Sequence, residues 1–102
     1  MRVMIIPAQK LPMVKDIEGH LYDLQYYVDG FIEPCAPVQL RQQGIEILCN
    51  EEGLLRQLPV NINLFPFFFV GTLVAVGVDD DEFTSLTAEQ VDYLKKWLSD
   101  LP

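Results

Sequence analysis

Residues 65–78 read FPFFFVGTLVAVGV, and this stretch decides the fold that the sequence predicts. Its content of Phe, Val and Thr is typical of a buried strand. Successive side chains of a strand point to opposite faces, and here both faces are apolar. The two faces consist of Phe67, Phe69, Leu73 and Ala75 and of Phe68, Val70, Val74 and Val76. We therefore predict one long strand that is central in a sheet or lies in an interface. The stretch is too short to span a membrane as a helix, which needs about 20 apolar residues.

Further segments on both sides have the pattern of strands or of their connections. Residues 2–6 are apolar on both faces and predict a second interior strand. Residues 31–38 contain two prolines, which indicates an edge or irregular strand, whereas residues 44–50 alternate cleanly. Because residues 39–43 join them, we expect these two strands to form an antiparallel hairpin. Residues 54–64 contain a proline and two asparagines and are predicted to be a loop.

Two helices are predicted from their apolar stripes and their end signals. The first covers residues 19–28, after a short extended segment at residues 12–17 and before Gly30, which suits the positive φ of a helix end. The second begins at Thr87, which forms a capping box with Gln90. The apolar stripes are Leu21, Leu24 and Val28 in the first helix and Val91, Leu94, Leu98 and Leu101 in the second.

These elements predict a single α+β domain over residues 1–102. We expect a small mixed, mainly antiparallel sheet of about four or five strands, with two helices packed on one face. Because both helices cover the same face, the second face of the sheet is left uncovered. Two of the predicted strands are apolar on that face as well. We therefore expect a homodimer that buries this face, because two-fold dimers are the commonest oligomers. The alternative is that residues 54–64 fold over it.

The charge of the chain excludes one class of function and suggests a partner. Seven basic and 15 acidic side chains give the 102 residues a net charge of −8. This argues against direct nucleic-acid binding, because phosphate contacts need a surface of Lys and Arg. An acidic face can instead dock on a basic host or mobile-element protein. The candidate interaction residues are Asp79, Asp80, Asp81, Glu82 and Trp97. The alternative for the acidic run is a solvated turn, and its spacing does not match a calcium-binding loop.

A second candidate site is a small-ligand pocket, lined by Tyr22, Tyr26, Tyr27 and Asn61. Aromatic rings with a few polar groups are typical of such pockets. Tyrosines beside an apolar stripe also pack at the boundary of a core with their hydroxyl groups in water, and this is the alternative.

The sequence contains no motif for catalysis or for a cofactor. His20 is the one histidine and has no nucleophile or metal-ligand spacing beside it. The glycines form no phosphate-binding loop. We therefore expect no enzyme, with no catalytic residue, cofactor or metal site. A deep pocket that gathers Glu33, Glu46 or Asp79 with a basic group would favour an enzyme instead.

The N-terminus and the cysteines bear on the compartment. The first apolar run ends at Pro7 and is shorter than the apolar region of a signal peptide, so we expect a cytoplasmic protein without membrane association. In the cytoplasm Cys35 and Cys49 are expected to be reduced, small and buried. The alternative is a redox pair across neighbouring strands, although there is no C-x-x-C spacing.

Several short segments together resemble one family of small domains. They are residues 24–25, 28–33, 49–53, 58–61, 71–72, 76–77 and 82–87, which read LQ, VDGFIE, CNEEG, LPVN, GT, VG and EFTSLT. The chain resembles the domain-of-unknown-function 3846 family, found in phages, conjugative elements and gut bacteria. The resemblance implies an accessory factor that acts on host or element proteins, and it carries over no catalytic residue. We expect a non-enzymatic protein-interaction or regulatory factor of a phage or mobile element. The alternative is a small-ligand-binding homodimer with a pocket at the subunit interface.

Overall fold

The computed structural model describes residues 1–102, apart from the side chain of Phe67. The described residues form eight strands and three helices. The strands are β1 (Arg2–Ile6), β2 (Met13–Asp16), β3 (Ile32–Pro34), β4 (Ile45–Asn50), β5 (Val60–Leu64), β6 (Phe67–Val70), β7 (Leu73–Asp79) and β8 (Glu82–Thr84). The helices are α1 (Leu21–Val28), α2 (Val38–Arg41) and α3 (Ala88–Ser99).

β7 lies at the centre of the main sheet. The strand order is β2-β1-β7-β4-β3, and β8 also pairs with β7. β5 and β6 form a separate two-stranded sheet. Every described strand pairing is antiparallel, including the predicted pairing of β3 with β4. The predicted α+β class with a mainly antiparallel sheet is therefore confirmed.

The two longer helices lie on opposite faces of the main sheet. Leu73 of β7 packs in a buried cluster with Leu94 of α3, and we call this side the α3 face. Val74, the next residue, packs in a second cluster with Leu24 of α1, and we call this side the α1 face. This corrects the expected placement of both helices on one face. The physical reason is that each apolar face of β7 needs its own cover, and one helix supplies it on each side.

Both faces of the main sheet are thus covered within one chain. The α3 face also buries Leu40 of α2, Ile62 of β5 and Phe69 of β6. Part of this cover comes from residues 54–64, the segment named as the alternative to a dimer. The expected homodimer rested on an uncovered face, and among the described residues that reason no longer applies. The homodimer itself stays a prediction.

The stretch of residues 65–78 forms two strands rather than one. The chain changes direction at Gly71, which has a φ of +75°, and a Cβ atom there would lie 2.8 Å from Leu58 Cδ1. Glycine adopts this left-handed backbone without the steric cost that other residues have. β6 therefore leaves the main sheet and pairs with β5. The prediction of one continuous strand is wrong.

β5 lies in the segment that was predicted to be a loop. Val60, Ile62 and Leu64 alternate with two asparagines, which is the period-two pattern of a strand. Ile62 is buried on the α3 face. Pro59 stands just before the strand, where its missing N–H group removes no bond from the ladder. The proline and the asparagines therefore do not prevent a strand here.

α1 and the connection before β4 differ from the prediction in detail. α1 begins at Leu21, which is 58% exposed and lies outside the buried stripe. Asp29 takes the left-handed conformation at the helix end, with a φ of +61°, one residue before Gly30. The connection predicted at residues 39–43 includes most of the short helix α2.

The start of α3 is confirmed as predicted. Gln90 N donates to Thr87 Oγ1 at 3.1 Å, and Thr87 N donates to Gln90 Oε1 at 2.9 Å. Gln90 Nε2 also donates to the carbonyl oxygens of Gln43 and Gly44, each at 3.0 Å, which attaches α3 to the turn before β4. Neither α3 nor any other helix in the described part of the chain is long and apolar enough to cross a membrane.

A tight turn joins β7 to β8 at Asp80 and Asp81, whose φ values are +48° and +64°. Positive φ at both central residues is typical of a type I′ turn, which prefers Asn-Gly. We expect the double variant Asp80→Asn, Asp81→Gly to raise the free energy of unfolding by about 0.5–1 kcal/mol in urea denaturation. The control Asp79→Asn, Glu82→Gln removes two charges outside the left-handed positions. An equal gain in this control would contradict the conformational explanation.

Candidate functional site

A cavity of about 710 Å³ opens at the β3 edge of the main sheet, and we call it the edge cavity. Three parts of the chain form most of its lining: the end of β3 with the residues after it, the end of β4 with the turn after it, and β6. The lining residues are 33–36, 41, 49–51, 53–55 and 68–70. Segments that are far apart in sequence therefore meet here through the pairing of β3 with β4 and the packing of β6 on the α3 face.

A buried carboxylate holds one wall of the edge cavity. The Glu46 side chain is 10% exposed, and its Oε1 accepts hydrogen bonds from Ala36 N at 2.8 Å and from Ile47 N at 3.0 Å. Its Oε2 accepts from Arg41 Nε at 3.1 Å. The ladder between β3 and β4 ends here, so the carboxylate takes the place of a strand partner for these N–H groups. Ala36 and Arg41, which line the cavity, are fixed by this one side chain.

Asn50 connects the edge cavity to α1. It is 6% exposed, and its Nδ2 donates to Val28 O at 3.0 Å and to Asp29 O at 2.9 Å. Its Oδ1 accepts from Glu52 N at 2.8 Å. The side chain therefore satisfies two carbonyl groups at the end of α1 and also orders the turn that follows β4.

The rim of the edge cavity is apolar and exposed. Leu54, Leu55 and Phe68 line the cavity and are 67%, 84% and 47% exposed. The charged residues Glu33 and Glu51 also line the cavity and are exposed. Apolar side chains that are exposed together at a concave surface mark binding sites in soluble proteins.

The two cysteines lie side by side in the edge cavity. Both are half-buried thiols, and the Cys49 thiol donates to Glu33 O at 3.4 Å. The pKa of the Cys35 thiol is raised well above its ordinary value, first because Cys35 donates a hydrogen bond to the Cys49 sulfur and second because of burial. The same hydrogen bond lowers the pKa of Cys49. The sequence left open whether these residues are neighbours, and the structure places them together.

The predicted acidic interaction residues are exposed, whereas Trp97 is not. Asp79, Asp80, Asp81 and Glu82 form the end of β7, the turn and the start of β8, and all four are exposed. Trp97 is half-buried and packs against the α3-face cluster. Among the side chains that the structure describes, no group of three or more His, Cys, Asp or Glu residues could hold a metal ion.

The predicted ligand-pocket residues are spread over different parts of the surface. Tyr22 stacks on His20 with ring centroids 5.2 Å apart, and Tyr26 meets Tyr27 edge-on at 5.3 Å. Tyr27 lines a separate cavity of about 280 Å³. Asn61 Nδ2 donates to Ile6 O and Gly71 O, each at 2.8 Å, so this amide connects two parts of the backbone. The structure does not bring the four residues into one described cavity.

Sequence reasoning missed most of the edge cavity. Leu54 and Leu55 lie at the start of the segment that was predicted to be a loop, and adjacent leucines in a turn were the available signal. Glu33 was named only as part of a pocket that would favour an enzyme. Glu33 and Arg41 both line the edge cavity, whereas Glu46 does not line it and accepts a hydrogen bond from Arg41 Nε.

The fold and this site define a small α+β domain with a cavity at the edge of an antiparallel sheet. The family model described as "Domain of unknown function (DUF3846)" matches residues 1–99. The chain belongs to this family, and the resemblance of its short segments is thereby confirmed. No curated protein and no solved structure matches the chain.

Proposed function

We propose that this chain is a non-enzymatic protein-interaction module, a regulatory accessory factor of a phage or mobile element, and that its edge cavity binds an apolar segment of a partner protein. The observation that carries the proposal is the exposed apolar rim formed by Leu54, Leu55 and Phe68. Covering such side chains is favourable by about 25 cal/mol for each Å² of apolar surface removed from water. A partner segment with large apolar side chains would gain this energy.

Charge supports a basic partner for the same surface. The chain has a net charge of −8, and the exposed carboxylates of Glu33 and Glu51 stand in the lining of the edge cavity. The exposed turn at Asp80 and Asp81 adds to the negative potential of the whole molecule. Complementary potentials accelerate association and make it weaken with salt. We therefore propose a partner segment that combines apolar side chains with Lys or Arg.

A displayed library of random peptides tests this function. We expect enriched peptides that contain both large apolar and basic residues and whose binding weakens as NaCl is raised. The variant Leu55→Asp places a charge on the apolar rim and should reduce the affinity of an enriched peptide at least about tenfold, measured by fluorescence anisotropy.

The matched control is Leu21→Asp, the same change at a 58% exposed leucine of α1. Leu21 does not line the edge cavity, so this variant should bind the peptide as the unchanged chain does. A library without enriched peptides, or equal affinities for the two variants, would reject the proposed binding surface.

A small-ligand-binding homodimer is the second candidate function, and the volume of the edge cavity favours it. About 710 Å³ lies within the range of roughly 300–1,000 Å³ that small-molecule sites occupy. A second copy of the chain over the apolar rim would place this pocket at a subunit interface. A thermal-shift screen with nucleotides and metabolites, combined with light scattering, separates the two functions. A raised melting temperature together with a dimer mass supports the second function, and a monomer with unchanged melting temperatures contradicts it.

A further inference from the structure

We infer that Cys35 and Cys49 form a thiol–disulfide exchange site, which closes to an intramolecular disulfide when it reacts with a small disulfide such as oxidised glutathione. The pairing of β3 with β4 places the two residues on one side of the strand pair. Glu33 is opposite Cys49, and Cys35 N donates to Ile47 O at 2.8 Å. Cys35 is therefore the diagonal neighbour of Cys49 on the same face of the strand pair, and Cα atoms in this arrangement are about 7–8 Å apart.

Two features allow the pair to close. The two thiols are close enough for each to shift the pKa of the other, and both line the edge cavity, so a small disulfide can reach them. β3 ends at Pro34, and the next residue, Cys35, still donates its N–H group to Ile47 O of β4. Disulfide formation requires Cα atoms within about 7 Å, which is at the limit for diagonal neighbours. Closure therefore requires a small approach of the two backbones at the end of the paired segment, where the hydrogen bond from Cys35 N to Ile47 O holds Cys35 beside β4.

The reaction has two steps, and Cys49 begins it. The Cys49 thiol, whose pKa is lowered, loses its proton to water, and its sulfur attacks one sulfur of oxidised glutathione. The glutathione S–S bond breaks, one glutathione thiolate leaves and takes up a proton, and Cys49 carries the other half as a mixed disulfide.

The Cys35 thiol then completes the reaction by forming the intramolecular disulfide. Once the Cys49 sulfur is in the mixed disulfide it carries no negative charge, so Cys35 loses its proton more easily than before. The Cys35 thiolate attacks the Cys49 sulfur and displaces the second glutathione, which takes up a proton. Two electrons and two thiol hydrogens pass from the chain to oxidised glutathione, which becomes two reduced molecules. The product closes a loop that contains α2.

Intact-mass measurement after treatment with oxidised glutathione and rapid alkylation tests this site. We expect the unchanged chain to lose two hydrogen atoms and to retain no glutathione. The variant Cys35→Ser should accumulate one stable glutathione adduct on Cys49, because no second thiol resolves it. The variant Cys49→Ser should react at Cys35 at least about twofold more slowly than Cys35→Ser reacts at Cys49, because burial still raises the pKa of Cys35 after the Cys49 sulfur is removed.

Three results would overturn the inference: stable glutathione adducts on the unchanged chain, disulfide-linked dimers as the main product, or equal rates for the two serine variants. Circular dichroism establishes that each variant is folded. Cys35→Ala, in which no second thiol resolves the mixed disulfide, should also accumulate the stable adduct on Cys49 and replaces Cys35→Ser for that readout if the serine variant does not fold. The unchanged chain in guanidinium chloride serves as a control, since unfolding should abolish the difference in reactivity between the two thiols.

Discussion

The variant Asn50→Asp is expected to lower the free energy of unfolding by about 3 kcal/mol at neutral pH. Asn50 Nδ2 donates to Val28 O and Asp29 O, and an aspartate carboxylate cannot donate to either. The introduced charge would face two carbonyl oxygens at a position that is only 6% exposed. The loss therefore combines two broken hydrogen bonds with the burial of an unpaired charge.

The stability of the same variant should depend on pH. Burial beside two carbonyl oxygens disfavours the ionised form of the introduced carboxyl, so its pKa in the folded chain lies above the unfolded value of about 3.9. The folded variant then binds more protons than the unfolded one. Its stability relative to the unchanged chain therefore falls as pH rises from the unfolded pKa to the folded pKa, and it is partly restored in acid. Urea denaturation of both chains at about pH 4 and about pH 7 measures this difference.

Asn63→Asp is the matched control for the Asn50 variant. Asn63 is an exposed residue of β5, so the same chemical change should alter the free energy of unfolding by no more than about 0.5 kcal/mol. A comparable loss in both variants, or a loss below about 1 kcal/mol at Asn50, would contradict the assigned role of this amide.

Features that depend on near neighbours in sequence could be predicted. The capping box joins Thr87 and Gln90, which are three residues apart, so the amino-acid sequence alone identifies the start of α3. β1 and β4 were found because their apolar residues cluster within five or six positions. The acidic turn after β7 was visible because runs of aspartate do not continue a strand.

The division of residues 65–78 into two strands could not be predicted with the same certainty. A glycine inside an apolar run is compatible with a continuous strand and with a change of direction. Gly71 changes direction here because β6 has a partner, β5, whose pattern was concealed by a proline and two asparagines. The sequence also could not show which face of the sheet each of α1 and α3 covers. A strand that is apolar on both faces needs cover on both sides, but its sequence does not indicate which element supplies that cover.

The candidate site was harder still, because its residues are brought together by tertiary contacts. Asn50 stands at the end of a predicted strand, and nothing in the sequence marks its hydrogen bonds to the end of α1. Glu46 alternates with apolar residues in β4 and would normally point to solvent. Its burial depends on where β3 stops pairing with β4, which is a property of the folded sheet edge.

Glu46→Ala is the second variant with a large expected effect, a loss of about 3 kcal/mol in the free energy of unfolding. Glu46 Oε1 accepts from Ala36 N and Ile47 N, and alanine leaves both N–H groups without this acceptor. Each buried N–H group without a partner costs about 1–3 kcal/mol. Urea denaturation measures the loss. The wall of the edge cavity that contains Ala36 should loosen first, which faster amide exchange at Ala36 and Ile47 would show.

Two further variants separate the loss of the backbone hydrogen bonds from the loss of the ion pair. Glu46→Gln keeps a carbonyl oxygen for both N–H groups but loses the ion pair with Arg41, so we expect a loss of about 1 kcal/mol. Arg41→Ala removes the same ion pair from a side chain that is 53% exposed, where solvent screens the charge, and should cost no more than about 1 kcal/mol. An equal loss of unfolding free energy in Arg41→Ala and Glu46→Ala would mean that the ion pair, and not the backbone hydrogen bonds, stabilises this wall of the edge cavity. The expected order instead makes Glu46 a substitute for the missing strand partner of Ala36 N and Ile47 N.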